Sequence, residues 1–202
     1  MTNNPKRVLF VCLFNLQRSV VAESMFEQLL AADGTAEVEG IEVLSAGFVG
    51  QGVRAWFREL GLAIPDPPFG REMPGATRTA LLERGIDISG YRSREADLDL
   101  LTSSDLVICM LPEIRRDLVG AHRELEGKLF VLQDFLEAGT EFYWEKTSTF
   151  PHDDTYFEFV HNDPAYVGTV IRELEESIGR AYPAIVDRLR ADVTGTPGGK
   201  LA

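Results

Sequence analysis

Cysteine is scarce in this chain: of 202 residues only Cys12 and Cys109 carry thiols, and each lies in an apolar run. Two cysteines do not make a disulfide framework, and the expectation for Cys109 is a small buried hydrophobe. Basic charge is also short, with 20 Lys and Arg against 32 Asp and Glu and a net charge of −12. That balance argues against a nucleic-acid partner, which leaves a basic footprint, and weakly against an anionic membrane. No segment approaches the roughly twenty apolar residues of a membrane span, and the apolar run near the start is too short and lacks the cleavage site of a secretory leader. The expected location is cytoplasmic, where a reactive thiol stays reduced. The three histidines, His122, His152 and His161, lack metal-ligand spacing, so they are expected to be solvated, with no metal and no cofactor.

What the chain does have is 45 % hydrophobic residues, enough for one sizeable core. Their order alternates strand and helix. A strand is expected over Lys6–Leu13, its run from Val8 unbroken and apolar, as a strand buried on both faces is. Ser19–Ala32 places Val21, Met25, Phe26 and Leu29 at helical spacing with Glu23 and Glu27 on the other side, and Asp33-Gly34 ends it. Strands follow over Ile41–Gly47, Asp105–Leu111 and Lys128–Leu132. Helices are expected over Val53–Leu62, from Pro74 to Arg84, over Glu95–Leu101, from Pro112, and from Pro164 to Arg190, with Pro183 kinking or breaking the last. The pattern predicts an α/β fold, a doubly wound four-stranded parallel sheet in the order 2-1-3-4 with helices on both faces. One domain spans residues 1–193. Residues 48–75 and 133–162 resist periodic reading, and the glycine-rich stretch 194–202 is expected to be a disordered tail.

The chemistry concentrates where the first strand meets the first helix, in Val8-Leu-Phe-Val-Cys12-Leu-Phe-Asn-Leu-Gln-Arg18-Ser19. A helix starting near Arg18 leaves backbone N–H groups without intrahelical partners, pointing back towards Cys12. Those donors, the positive end of the helix and the guanidinium make an anion site. A thiol in such surroundings favours the thiolate, its nucleophilic form. Arginine suits phosphate because its planar fork bonds two oxygens at once, and the Ser19 hydroxyl can donate to sulfur.

This stretch resembles the low-molecular-weight protein tyrosine phosphatase family and its arsenate reductase relatives. Further segments are similar and in family order: Ser45-Ala46-Gly47, Arg84 to Arg94, Ser104 to Met110, and Asp163-Pro164 before the last helix. The resemblance covers most of 6–132 and 163–190 and makes 48–75 and 133–162 insertions. It implies a phosphomonoester hydrolase, a protein tyrosine phosphatase working through a cysteinyl-phosphate. Cys12 would be the nucleophile, with Arg18 and the backbone of Leu13, Phe14, Asn15, Leu16, Gln17 and Ser19 binding phosphate. Asp163 would be the general acid, with Asp153 and Asp154 as rivals and helix capping as its plainer role. Asn15, Ser19 and Ser45 would brace the loop, and Tyr166 would wall an aryl substrate, ahead of Phe48, Trp56, Tyr143 and Trp144.

Three positions depart from the family pattern: Phe14 stands for glycine, Gln17 for a frequent cysteine and Val20 for proline. If position 14 needs a positive φ or a close backbone approach, Phe14 reshapes the cradle; otherwise it forms part of the pocket's rim. An aliphatic Leu16, where arginine phosphatases of the family have threonine, sides with tyrosine phosphate. A partner would be a phosphorylated protein or a small aryl phosphate. The alternatives are a non-catalytic phosphate- or phosphoprotein-binding relative and, with Cys109 alone available for a thiol relay, an arsenate reductase.

Overall fold

The computed structural model describes residues 5–35, 38–145 and 156–191, without the side chains of 157–159. The tail 194–202 and both rival acids, Asp153 and Asp154, lie outside the described residues, as does His152.

Four parallel strands, β1 (Arg7–Cys12), β2 (Glu42–Gly47), β3 (Leu106–Cys109) and β4 (Leu129–Val131), form one sheet in the order β2-β1-β3-β4, as expected. The central strand explains the apolar run: Val8, Leu9, Phe10 and Val11 are wholly buried between β2 and β3. Helix α1 (Arg18–Asp33) leads from β1 to β2, and α5 (Pro112–Ala121) leads from β3 to β4. They carry the chain in opposite directions along the sheet, and right-handed crossovers therefore put them on opposite faces. Between β1 and β3 the direction reverses, which opens a crevice at the carboxyl ends of the strands.

The remaining helices complete the layers. α1 packs along α7 (Pro164–Ala191), and α2 (Gln51–Glu59) packs on α5. α3 (Gly75–Leu82) lies against α7, where Arg84 grips Glu175 with two guanidinium hydrogen bonds of 2.7 and 3.2 Å. α4 (Leu98–Ser103) precedes β3, and its cap Asp97 accepts the Leu100 N–H. Gly34, at φ 59°, ends α1 as Asp33-Gly34 predicted.

Of the kink or break expected at Pro183, the break does not occur: α7 runs through it. A proline removes one helix hydrogen bond, and here the helix is held along its length by α1, with the Tyr182 ring 5.1 Å from Phe26. The stretch after β4 that resists periodic reading contains a helix, α6 (Tyr156–Asn162).

Candidate active site

Cys12 is the last residue of β1, paired with Gly47 of β2, and α1 begins at Arg18. The connecting loop is tight. Asn15 takes φ 54°, the one positive φ among described non-glycine residues, a conformation that asparagine tolerates better than most. Its buried side chain uses every hydrogen-bonding group: Nδ2 donates to Ser19 Oγ (3.0 Å) and Ser45 Oγ (2.9 Å), and Oδ1 accepts the Arg94 N–H (3.0 Å). Its backbone carbonyl accepts the Tyr91 hydroxyl at 2.6 Å. The Ser19 hydroxyl donates to Cys12 Sγ at 3.0 Å. Among the described residues no side chain caps the first turn of α1, so its N–H groups remain available to an anion.

β2 supports the loop from below. A Cβ on Gly47 would lie 2.8 Å from the Leu13 carbonyl and 2.9 Å from the Asn15 nitrogen, so only glycine admits the loop so close. The Ser45 hydroxyl donates to Glu23, and the Ser45 carbonyl accepts from Arg94 Nε at 2.7 Å. Glu23 was expected on the polar side of α1 with Glu27. It instead faces Ser45, because residues 19–22 of α1 are all buried and leave that turn no solvent side. Burial pushes the Glu23 carboxyl up to about 6, against the opposing pull of Ser45 and Arg94. Burial likewise raises the Tyr91 hydroxyl, next to Cys12 and Glu23, so it stays a donor.

Above Cys12 the space is small, a cavity of about 20 Å³, little more than one water needs. Leu13, Phe14, Leu16, Gln17 and Arg18 form its floor and sides. Its roof is Trp144, Tyr156, Val160, His161 and Tyr166. Phe48, Trp56 and Tyr143 do not line it; the Trp56 ring packs on Phe57 and that of Tyr143 on Tyr166. Asp163 does not line it either. Its Oδ1 accepts the Tyr166 N–H at 2.7 Å, capping α7 one residue beyond α6.

Phe14 has no positive φ, so the feared strain at that position is absent. Its ring meets Phe57 edge-on at 6.0 Å, and Phe57 meets Tyr156 edge-on at 5.8 Å. Gln17, also buried, donates from Nε2 to the Val160 carbonyl (3.2 Å) and Thr77 Oγ1 (3.4 Å). Both departures thus tie the loop to the roof.

Sequence reasoning missed Tyr156 and His161. His161 is not solvated: it faces the cavity, and burial, with the Arg18 and Arg71 charges, pushes its imidazole down to about 3, leaving it neutral. No periodicity marks either residue; the aromatic content of 142–159 was the one available signal. Cys109 is fully buried in β3, where burial raises its thiol. Among the described residues no group of His, Cys, Asp and Glu is placed to hold a metal ion.

A cysteine and an arginine that line one cavity, where the first strand of a parallel sheet meets a helix start, are the parts of a cysteine-dependent phosphatase. The family model for low molecular weight phosphotyrosine protein phosphatase matches residues 7–59. A probable low molecular weight protein-tyrosine-phosphatase, EpsP of Ralstonia solanacearum, is 27 % identical over 127 residues, 63 % of this chain and 70 % of that one. The low molecular weight protein tyrosine phosphatase of T. tengcongensis is 27 % identical, with a TM-score of 0.62 over 89 % of this chain and 99 % of its own. The YwlE arginine phosphatase of Geobacillus stearothermophilus shares the fold at 22 % identity and TM-score 0.60, over 96 % of this chain and 100 % of its own. The chain is thus similar to low-molecular-weight protein tyrosine phosphatases, in sequence over its first strand, loop and helices and in fold over most of its length.

Proposed function

We propose that this phosphatase hydrolyses phosphotyrosine, in a protein or as a small aryl phosphate, through a cysteinyl-phosphate on Cys12. The observation that carries the reading is the Ser19 hydroxyl on Cys12 Sγ at 3.0 Å, beneath a cavity that Arg18 also lines. In the first step sulfur attacks phosphorus and the aryl–oxygen bond to phosphorus breaks. Arg18 and the loop N–H groups hold the non-bridging oxygens as charge redistributes. Ser19 donation favours negative charge on sulfur when it attacks and again when it departs. Asp163 protonates the leaving oxygen, then takes the proton of the water that cleaves the S–P bond. Asp163 caps α7 through Oδ1 and does not line the cavity, so this role requires Oδ2 to be brought over Cys12 when substrate binds.

Leu16 supports a tyrosine rather than an arginine phosphate, since it presents an apolar, buried side chain to the cavity. Tyr166 and Trp144 would flank the aryl ring. The buried Cys109 gives no support to a thiol relay, and hence none to arsenate reduction. The cytoplasm remains the proposed location; among the described residues no helix is long and apolar enough to cross a membrane.

The test is aryl phosphate hydrolysis by wild type, Cys12→Ser and Asp163→Asn. Cys12→Ser should be inactive. Asp163→Asn should lose about 10²–10⁴-fold in kcat while keeping its stability, because asparagine also caps helices. Wild-type turnover no faster than that of Cys12→Ser would refute the proposal. The narrow cavity favours one second reading, a member that binds phosphate without turning it over; tight phosphate binding with no phosphoryl transfer would select it.

A further inference from the structure

An anionic substrate approaches a molecule of net charge −12, so positive charge beside the cavity must act locally. Arg18 lines the cavity, and Arg71 lies in the stretch between α2 and α3; neither side chain has a hydrogen-bond or ion-pair partner among the described residues. We propose that Arg71 is a specificity residue, which holds a carboxylate beside the phosphotyrosine and so selects phosphotyrosine with acidic neighbours. This rests on the reading of the site as a phosphotyrosine cradle and names the substrate class it favours.

Residues 69–77 skirt the site and fix where Arg71 stands. The Phe69 ring abuts Gly47: its Cε1 lies 2.6 Å from where a Gly47 Cβ would sit, next to the Leu13 carbonyl and the Asn15 nitrogen. Gly70 donates its N–H to the Ser93 carbonyl (2.8 Å), and Arg71 accepts the Ser93 N–H (2.9 Å) and donates its own to Ser93 Oγ (3.0 Å). The next residue, Arg94, is the one whose N–H reaches Asn15. Further on, a Cβ on Gly75 would lie 3.9 Å from Asn162 Oδ1, and Thr77 accepts from Gln17. The Arg71 backbone is thus tied to the phosphate loop at one remove while its side chain is exposed. Its charge reaches the cavity wall, where it acts on His161 together with that of Arg18. The neighbouring Glu72 is paired elsewhere, with Arg92 (2.8 Å) and Arg78 (3.7 Å). A planar guanidinium on the rim suits a carboxylate, which it can bind with two parallel hydrogen bonds.

The test compares kcat/KM for two phosphotyrosine peptides that differ only in having Glu or Gln at the two positions flanking the phosphotyrosine. Wild type should favour the Glu peptide about three- to tenfold, as one charge-assisted hydrogen bond at an exposed rim allows, and the preference should shrink as salt rises. Arg71→Gln should abolish the preference and Arg71→Glu should reverse it. Arg71→Lys, which keeps the charge but not the planar fork, should retain part of it. Equal kcat/KM for both peptides in wild type, or a preference that survives in Arg71→Gln, would overturn the proposal. Binding of the same peptides to Cys12→Ser reads the preference without turnover and separates the two readings. No turnover of either peptide by wild type refutes the phosphatase, equal binding of both refutes the role of Arg71 alone, and binding of neither refutes both.

Discussion

Floor and roof of the site are built by different physics. The floor is local: six residues after Cys12 the helix begins, and a single asparagine at φ 54° joins loop, helix and neighbouring strand through three side-chain hydrogen bonds. The roof is assembled from distant segments, Trp144 after β4, α6 and the first turn of α7, meeting the loop through Phe14, Gln17 and Phe57. The floor depends on neighbours in the chain, the roof on segments that only the fold brings together.

The comparison is broken most severely at Asn15. Asn15→Ala removes three hydrogen bonds and leaves Ser45 and the Arg94 N–H short of partners, in a conformation alanine disfavours. The expected loss is about 100-fold or more in kcat/KM for an aryl phosphate, with destabilisation of about 3 kcal/mol by urea denaturation. Retained activity would mean the network is not what holds the loop. Next comes Phe14→Ala. Truncating this buried ring should cost about 3–4 kcal/mol and lower the midpoint of urea unfolding. An unmoved midpoint would mean that the ring does not anchor the loop on Phe57.

Gly47→Ala tests the floor's close approach, since the Cβ meets backbone at 2.8 and 2.9 Å and the loop must shift. A cost of about 1–3 kcal/mol is expected by urea denaturation, with kcat for an aryl phosphate reduced. Glu23 gives the smallest effect, read against pH. Its folded carboxyl titrates at about 6 against an ordinary 4.5, so the folded state holds the proton more tightly. The resulting stabilisation is full below pH 4.5 and is lost as pH rises through 6, about 2 kcal/mol in all. Glu23→Gln should remove that slope from the pH dependence of urea unfolding. An unchanged slope would assign it to other groups.

The same division decided what the sequence could disclose. The strands, their order and the start of α1 were legible because buried parallel strands are continuous apolar runs and the loop residues are neighbours in the chain. Glu23 misled, because helical spacing assigns faces without knowing that residues 19–22 are covered all round. Pro183 left a break open because intrinsic propensity was weighed without the packing of α7 on α1, which carries the helix through. Tyr156, Val160 and His161 were illegible for a simpler reason. Their positions depend on contacts across 143 residues, from Val160 to Gln17, and no short window of sequence encodes such a contact. Phe14 and Gln17 were noticed as departures, but their purpose needed the roof to be seen.

The central claim is that Cys12 accepts the phosphoryl group on this floor. Rapid acid quench during aryl phosphate turnover, followed by intact-mass and peptide analysis, tests it directly. One phosphoryl group per chain is expected on the Cys12 peptide of wild type and none in Cys12→Ser. A wild-type enzyme that turns over with no adduct, or with the adduct on another residue, would contradict it.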